Sequence, residues 1–377
     1  MRITDVGATA VAVPLLHPAR MSTRLLDRRE YLLVEIRTDD GDSGTGYAYA
    51  GTRGGRILRH MVEDLLVPVL KGRDPGGIAD LWRDLYQESL LMGRRGGMLR
   101  AISAVDIALW DLAGKRQGLP LARLLGGAAT SVPAYASGGY YRQHPDGWSA
   151  AVAEEITHNR RTGFRDHKIK VGGLTVAEDA DRVAAAFSVM APGERLALDA
   201  NNAYGTAYEA AAAIRAFEAA AGGRGLWWVE EPLSADDLAG HARLRDILDS
   251  PIATGELHQT RWEFRDLVER RSADILQVDA GVVGGISEWM LVAGLAAAHG
   301  LRLAPHWHAN LHAHLVAAVP DASCVEYFPL ERDIYNFERM LTGHSRLVVR
   351  DGAIAIPDRP GIGVELDAGA VAEFSID

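Results

Sequence analysis

The pattern of hydrophobic and polar positions divides the chain into two regions with different periodicities. In the first region, residues 31–37 and 44–50 are typical of short β-strands and flank the turn Asp39-Asp40-Gly41. Apolar residues then recur at helical spacing through residues 60–70, 78–90 and 97–115. This order predicts a small α+β domain over residues 1–126.

From residue 131 onward, short β-rich runs alternate strictly with amphipathic or alanine-rich helical segments. The predicted strands are 132–136, 165–171, 195–200, 226–231, 252–255, 275–279, 302–305 and 324–327. The helical segments between them include 150–161, 176–190, 207–221 and 286–299. Eight such βα units predict an α/β fold, with a closed (β/α)₈-type barrel over residues 127–340.

The tail, residues 341–377, returns to short β runs. From residue 347 these runs are interrupted by Asp351-Gly352 and by the segment 357–363. We interpret the tail as completing the N-terminal domain, which would then cap the barrel.

Composition and charge exclude several classes of partner. The 377 residues are 48% hydrophobic and 24% charged, an ordinary globular mixture with enough apolar residues for a large core. The net charge of −10 argues against a nucleic acid or an anionic membrane surface as partner. The sequence has no run of about 18 apolar residues and no secretion signal pattern in residues 1–20, and its single cysteine, Cys324, suits a reducing compartment. We therefore expect a cytoplasmic protein that contacts neither nucleic acid nor membrane.

Polar residues stand at the carboxyl end of nearly every predicted barrel strand. Interior barrel strands are normally continuous runs of Val, Ile and Leu, so acids and bases at these positions need an explanation. Because the strand ends converge on one mouth of a barrel, residues far apart in the sequence become neighbours there. The residues concerned are Lys168, Lys170, Asp199, Glu230, Glu256, Asp279, His306 and Glu326.

Three carboxylates on consecutive strands predict a metal site. Asp199, Glu230 and Glu256 would offer three hard oxygen ligands, which suit one Mg²⁺ per active site with positions left open for water or substrate. Without a cation, carboxylates this close would repel one another. Strand alternation allows only one of Glu230 and Glu231 to face inward, and the spacing does not say which.

Two lysines and a histidine supply candidate bases and acids. Lys168 and Lys170 lie two apart on one strand and therefore point to the same side. A lysine beside a second cation and a metal has a lowered pKa and can act as a general base, which arginine cannot. Asp279 would fix the tautomer of His306 and support its protonated form. Glu326 would donate a hydrogen bond if its surroundings keep it protonated.

Each of these signals has a structural explanation when taken alone. A Lys168-Ile169-Lys170 segment is common on solvated edges, Glu230-Glu231-Pro232 suits a strand end before a turn, and a lone histidine is more often structural. The segment His306-Trp307-His308 does not favour zinc, because binuclear hydrolase barrels place such a pair on the first strand. Residues 281–285 fit a βα turn better than a phosphate loop. Compatible chemistry on seven consecutive strands is much harder to explain as a structural accident.

Together these residues resemble the mandelate racemase subgroup of the enolase superfamily. The resemblance includes the segment Ala104-Val105-Asp106-Ile107-Ala108-Leu109-Trp110-Asp111 of the N-terminal domain and so spans nearly the whole chain. It implies the enolase variant of the barrel with an N-terminal capping domain. The barrel motifs that carry it are Lys168-Ile169-Lys170, Leu198-Asp199-Ala200-Asn201, Val229-Glu230-Glu231-Pro232, Gly255-Glu256, Asp279, Pro305-His306 and Glu326.

The resemblance implies a role for each of these barrel residues. Glu230 would be the metal ligand of its pair, and Lys170 would be the base on one face of the substrate. Lys168 would neutralise the substrate carboxylate. His306 with Asp279 would be the acid or base on the opposite face.

The resemblance also implies substrate contacts. Asn201 matches a position that contacts substrate, and Glu326 would help to hold the charge of the intermediate. The resemblance implies that the loops of the cap domain carry the substrate specificity. Candidate contacts in these loops are Arg20, Arg24 and Tyr47.

The implied reaction is metal-assisted removal of the proton α to a carboxylate, through an enediolate intermediate. We favour the dehydration of an acid sugar, an aldonate or aldarate, to a 2-keto-3-deoxy acid. With the same residues, a racemase or epimerase would return the proton to carbon instead. A barrel that has lost activity and serves as a binding or assembly protein is the alternative from a different class. The expected partner is a polyhydroxylated small-molecule carboxylate, and we expect a homo-oligomer.

Overall fold

The chain begins with a three-stranded antiparallel sheet. The computed structural model describes residues 1–320 and 322–376, so Asp377, the end of the predicted tail, lies outside the described residues. The strands are β1 (Ile3–Arg20), β2 (Leu25–Thr38) and β3 (Ser43–Tyr49), in the order β1-β2-β3. The sequence predicts β2 and β3 but not β1, whose pairing with β2 shifts register between Pro14 and Ala19. Proline has no N–H to offer a ladder, so Pro14 and Pro18 interrupt the strand pattern.

Helices cover one face of this sheet. Helix α4 packs so closely on β3 that a Cβ atom at Gly44 or Gly46 would collide with the backbone of Ala108 or Ala104. Only glycine permits this approach. The helices of this region are α1 (Gly55–His60), a π-helical turn (Met61–Leu66), α2 (Val67–Leu70), α3 (Ile78–Ser89), α4 (Gly97–Gln117) and α5 (Leu121–Leu124).

The second region is a barrel of parallel strands. The described residues contain all eight predicted strands, which are β4 (Ser131–Gly138), β5 (Asp166–Lys170), β6 (Arg195–Asp199), β7 (Val229–Glu230), β8 (Ile252–Thr254), β9 (Ile275–Leu276), β10 (Arg302–Leu303) and β11 (Val325–Tyr327). Strand β11 pairs with β4, and Ser323 N–H donates to Leu303 O at 2.9 Å, so the ladder closes. The predicted fold class, an α/β barrel with an N-terminal cap, is confirmed.

Helices follow the barrel strands in sequence. They are α6 (Gly147–Arg161), α7 (Val176–Val189), α8 (Ala207–Ala220), α9 (Leu238–Ile247), α10 (Thr260–Glu269), α11 (Ala280–Val283), α12 (Ile286–Ala298) and α13 (Ala309–Ala318). Several strands end before the predicted boundary. Glu256, Asp279 and His306 therefore lie just beyond the ladder, where the chain turns toward the next helix. None of the described helices has both the length and the apolar character needed to cross a membrane.

The tail contacts both the barrel and the cap. Its β runs form β12 (Val349–Arg350) and β13 (Ala353–Ala355), and β13 pairs antiparallel with β4 of the barrel. After helix α14 (Ala368–Phe374), Ile376 N–H donates to Ala10 O on β1 at 2.9 Å. The β runs thus extend the barrel sheet. The tail also bonds to the cap, where Gly361 N–H donates to Leu119 O at 2.9 Å and Ile362 N–H donates to Asp111 at 2.8 Å. Short 3₁₀ helices precede the hairpin, at Leu330–Arg332, Asn336–Met340 and Gly343–Ser345.

Two buried aspartates of α4 join the cap to the rest of the molecule. Asp106 accepts hydrogen bonds from the N–H and the hydroxyl of Ser287, at the start of α12. Asp111 accepts from Thr45 N–H on β3 at 2.7 Å and from Ile362 N–H in the tail at 2.8 Å. These bonds hold the cap loops above the carboxyl ends of the barrel strands.

Candidate active site

A cavity of about 510 Å³ lies between the cap and the barrel mouth. Such a volume is within the range of small-molecule sites. Its barrel wall contains Tyr140, Lys170, Asn201, Glu256, His306, Trp307 and Glu326, and its cap wall contains Met21, Arg24, Arg29, Tyr49, Met61 and Arg100 among others.

The three predicted metal ligands lie together, and Glu256 is the one that lines the cavity. Oxygens of Asp199, Glu230 and Glu256 are all within 4.8 Å of one another. The parallel register aligns Lys170, Asp199 and Glu230 in one row across β5, β6 and β7. Asp199 and Glu230 are buried, and Glu256 faces the cavity. Three convergent carboxylates are a donor set that fits a hard divalent cation such as Mg²⁺.

Glu230, rather than Glu231, belongs to this row of carboxylates. Its oxygens accept from Lys168 Nζ at 2.7 Å and from Gln277 Nε2 at 2.5 Å. Glu231 adopts a positive φ of 41° and accepts instead from Asn202 Nδ2 at 3.0 Å. Sequence spacing does not say which of the two glutamates faces inward. The backbone conformation at the strand end places Glu230, and not Glu231, beside Asp199 and Glu256.

The two lysines differ in their surroundings. Lys168 is 1% exposed and does not line the cavity; it lies 2.7 Å from Glu230 and 2.8 Å from Glu326. In this arrangement Lys168 neutralises protein carboxylates, and its expected contact with the substrate carboxylate stays a prediction. Lys170 does line the cavity, and its Nζ contacts Asp199.

The expected lowering of the Lys170 pKa is not seen in this arrangement. Burial lowers the pKa, but the contact with Asp199 outweighs burial, so the pKa of Lys170 is raised. Sequence spacing shows the second cation, Lys168, but not the carboxylate of Asp199 that lies beside Lys170 in the ladder. A cation held by Asp199 would oppose this effect.

His306 and Asp279 form the expected pair. His306 Nδ1 donates to Asp279 Oδ2 at 2.8 Å, while Asp279 Oδ1 accepts from Gly281 N–H at 2.7 Å. His306 Nε2 lies 3.5 Å from Glu256. Burial lowers the pKa of His306, but Glu256 and the hydrogen bond to Asp279 outweigh it and raise that pKa to about 10. The imidazole is therefore held in its protonated form.

Glu326 acts as an acceptor, contrary to the expected protonated donor. It accepts from Trp307 N–H at 2.8 Å and lies beside Lys168. Burial raises its pKa, but Lys168 and His306 outweigh burial and hold the pKa of Glu326 at about 2. The carboxylate is therefore ionised.

Unusual backbone geometry accompanies these strand ends. Asn201 and Trp307 have positive φ values of 45° and 65°. Residues other than glycine hold such values at a cost, and these conformations cluster at functional sites. Asn201 lines the cavity, and its buried Oδ1 has no hydrogen-bond donor among the described residues. It is thus an acceptor available to a ligand hydroxyl, as the substrate-contact prediction requires.

Of the three cap candidates, the cavity includes only Arg24. Arg20 points away, because its Nη2 donates to Gly173 O at 2.8 Å. Tyr47 is fully buried, with its ring 4.4 Å from that of Phe337 and 4.9 Å from that of His308. The prediction that Arg20 and Tyr47 contact the substrate is therefore corrected. The path of the cap loops depends on packing, which the periodicity of the sequence does not encode.

Sequence reasoning missed several residues of the cavity wall. Tyr140 follows β4, and Tyr49 ends β3 two residues beyond the predicted Tyr47. Position after a strand was a usable signal for Tyr140. Arg29 and Arg100 gave no signal, because arginine is the usual cation of this chain, which has only four lysines among 40 basic residues.

Known proteins are similar to this chain in sequence and in architecture. The chain is 36% identical to the L-talarate/galactarate dehydratase of Salmonella typhimurium, over 98% of this chain and 90% of that protein. It is 35% identical to the arabinonate dehydratase of Saccharolobus solfataricus, over 92% of this chain and 90% of that protein. A crystal structure of L-talarate dehydratase from Polaromonas sp. JS666, complexed with Mg and L-glucarate, superposes with a TM-score of 0.89 at 34% identity. That superposition covers 100% of this chain and 98% of the other.

Family models match both regions of the chain. Residues 3–126 match the mandelate racemase / muconate lactonizing enzyme N-terminal domain, and residues 151–370 match the enolase C-terminal domain-like model. The second match alone covers more than half of the sequence. The chain therefore belongs to the mandelate racemase/muconate lactonizing enzyme family of the enolase superfamily.

Proposed function

We propose that the protein dehydrates an acid sugar to a 2-keto-3-deoxy acid. The observation that carries this proposal is one cavity in which a carboxylate triad adjoins both a lysine amine and an aspartate-paired imidazole. The two relatives named above are both dehydratases, although two cycloisomerases are also 35% identical to the chain. By name, one dehydratase acts on aldarates and the other on an aldonate, so similarity leaves the substrate class open.

Asp199, Glu230 and Glu256 are the residues that would hold one Mg²⁺. The structure from Polaromonas contains Mg together with an acid-sugar ligand, which supports this choice of metal. When bound, the ion would supply the positive charge that stabilises a carboxylate-derived dianion. Lys168 contacts Glu230 and Glu326, and it would balance the charge and fix the position of these two carboxylates.

Lys170 would take the α-proton at Nζ. It lines the cavity beside the triad, so a substrate whose carboxylate lies at the triad presents its α-carbon within reach. A base must be neutral to accept a proton, and occupation of Asp199 by a cation favours the neutral amine.

His306 would complete the elimination from Nε2. The hydrogen bond from Nδ1 to Asp279 fixes the tautomer, so the second ring nitrogen faces the cavity with its proton. Transfer of that proton to the departing β-hydroxyl releases water and leaves an enol, which becomes the 2-keto acid. Asn201 Oδ1 would accept a hydrogen bond from a substrate hydroxyl.

A panel of aldonates and aldarates, incubated with Mg²⁺ in D₂O, tests this proposal. We expect a ketoacid that reacts with semicarbazide and depends on Mg²⁺. The Lys170→Ala variant should lose this activity, whereas exposed Lys71→Ala should keep it. Accumulation of α-deuterated epimers without ketoacid would instead indicate an epimerase. No turnover and no α-deuterium exchange with any acid would indicate a binding barrel.

A further inference from the structure

The cap wall of the cavity contains a buried guanidinium without a carboxylate partner. Arg29, on β2, is 4% exposed and lines the cavity. Its Nε donates to Ile334 O and its Nη1 donates to Tyr49 Oη, both at 2.8 Å. Within residues 1–320 and 322–376 it forms no ion pair, and the titratable groups nearest to it are the tyrosines Tyr49, Tyr140 and Tyr31, which are uncharged near neutral pH. Burial of an uncompensated cation is costly, so such a cation indicates an anion that arrives from outside.

Two further arginines line the same wall. Arg100 Nη1 donates to Tyr49 O at 2.9 Å, and Arg24 lies at the rim. Neither forms an ion pair with any described residue. The other buried arginine of the described residues, Arg182, is by contrast paired with Asp179 at 2.7 Å. The cap wall is therefore cationic, opposite a barrel wall that carries Glu256 and Glu326.

The spacing between the two walls suits a short chain molecule. The Arg29 guanidinium lies 4.3 Å from the centre of the Trp307 ring, and that ring lies 5.8 Å from the ring of His306. Arg29 and His306 therefore both lie beside the Trp307 ring and line the same cavity. With carbon–carbon bonds of about 1.5 Å, an extended chain of about six carbons spans roughly 6 Å. A molecule with its reacting carbon beside His306 and its far end at Arg29 would lie along the Trp307 ring.

We infer that Arg29, with Arg100 and Arg24, receives a second carboxylate at the far end of the substrate. The substrate class is then a dicarboxylic acid sugar, an aldarate, rather than a monoacid with an uncharged end. This inference rests on the proposed function. The donors of Arg29 that Tyr49 and Ile334 leave free provide the fork that a planar carboxylate fits.

Binding to a variant that cannot turn over tests the inference independently of activity. Calorimetry on Lys170→Ala, with Mg²⁺, would compare an aldarate, the aldonate of matching configuration and that aldonate with a terminal phosphate. We expect the aldarate to bind at least about tenfold more tightly than the aldonate. Equal binding of the first two acids, or tightest binding of the phosphorylated acid, would overturn the inference.

Substitution of Arg29 separates recognition from a structural role. In Arg29→Met we expect the aldarate-to-aldonate ratio of kcat/KM, and of affinity in the Lys170→Ala background, to fall at least about tenfold. A residue that only supports Trp307 would lower both acids equally and leave the ratio unchanged, which would refute the inference. Arg100→Met should lower the ratio in the same direction, and exposed Arg270→Met serves as the control.

The two proposals fail in different ways. If no acid exchanges its α-proton but the aldarate still binds selectively through Arg29, the proposed reaction is wrong and the second-carboxylate site stands. If aldonates and aldarates turn over and bind equally, the reaction stands and the second-carboxylate site is wrong. Should Arg29→Met not fold, Arg29→Lys keeps the cation without the fork, and the same ratio should fall in that variant.

Discussion

At the scale of single residues, the chemistry depends on which charged groups share a hydrogen bond. Asp279 binds His306 through one oxygen and caps helix α11 through the other, at Gly281. Asp279→Asn keeps an oxygen for the helix cap and removes the charge that supports the imidazolium. We expect ketoacid formation to fall at least about 100-fold, while Lys170 continues to exchange the α-proton in D₂O.

Exposed Asp246→Asn is the matched control for that comparison and should keep both rates. If exchange and elimination fell together in Asp279→Asn, the acid step would not be separable from proton removal. The assignment of His306 to the leaving group would then be wrong.

The metal prediction also belongs to single residues. Glu256 has fewer protein partners than Asp199 and Glu230, and it faces the cavity, so Glu256→Gln should fold while losing a charged ligand. We expect the apparent Mg²⁺ affinity to fall at least about tenfold, seen as a smaller rise of Tm on addition of Mg²⁺. Exposed Glu373→Gln should keep the full rise. An unchanged rise in Glu256→Gln would exclude Glu256 as a ligand.

The sequence predicts residues whose placement follows from strand ends and misses those placed by packing. Asp199, Glu230 and Glu256 come together because parallel strand ends converge. The ionised state of Glu326 depends on its contact with Lys168, and no periodicity encodes that contact. Arg29 was missed for the same reason, since its burial follows from the fold of the cap.

At the scale of elements, one histidine joins three parts of the chain. His314 of α13 accepts from Ala122 N–H of α5 at 3.2 Å and donates to Ile362 O of the tail at 3.1 Å. The bond accepted at Nδ1 requires the neutral ring, because a protonated imidazole has no acceptor nitrogen. Burial lowers the pKa of His314 from 6.5 to about 4, so this contribution to stability is complete above pH 6.5 and is lost as the pH falls through 4.

In the wild type, His314 alone is expected to lower the free energy of unfolding by about 2 kcal/mol at pH 5 relative to neutral pH. His314→Gln cannot protonate there, so its free energy of unfolding should decline less between pH 7.5 and pH 5. Denaturant titration at the two pH values measures this difference. The exposed His299→Gln variant should decline as the wild type does, and an equal decline in His314→Gln would contradict the assignment.

The elements were predicted where the periodicity is regular. All eight barrel strands were found because each stands between helical segments of clear amphipathic pattern. Strand β1 was missed because Pro14 and Pro18 interrupt it. The pairing of β13 with β4 was not predicted, because a short strand carries no signal for which sheet edge it joins.

At the scale of the whole molecule, the cap and the barrel depend on each other through α4. The cap supplies Arg29 and the barrel supplies His306, so the cavity exists only while the two regions are joined. Asp111 is fully buried and satisfies backbone N–H groups of β3 and of the tail. Asp111→Ala would leave both N–H groups buried without an acceptor, at a cost of about 1–3 kcal/mol each.

We therefore expect Asp111→Ala to lower the free energy of unfolding by several times more than a surface substitution, and to increase proteolysis near residues 357–363. Asp111→Asn keeps one acceptor oxygen and should lose about half as much, which separates hydrogen bonding from a general effect of substitution. The exposed Asp246→Asn variant should match the wild type. If Asp111→Ala and Asp111→Asn were equally stable, the buried hydrogen bonds would not be what holds the cap on the barrel, and the aspartate would act only through its ion pair with Lys115.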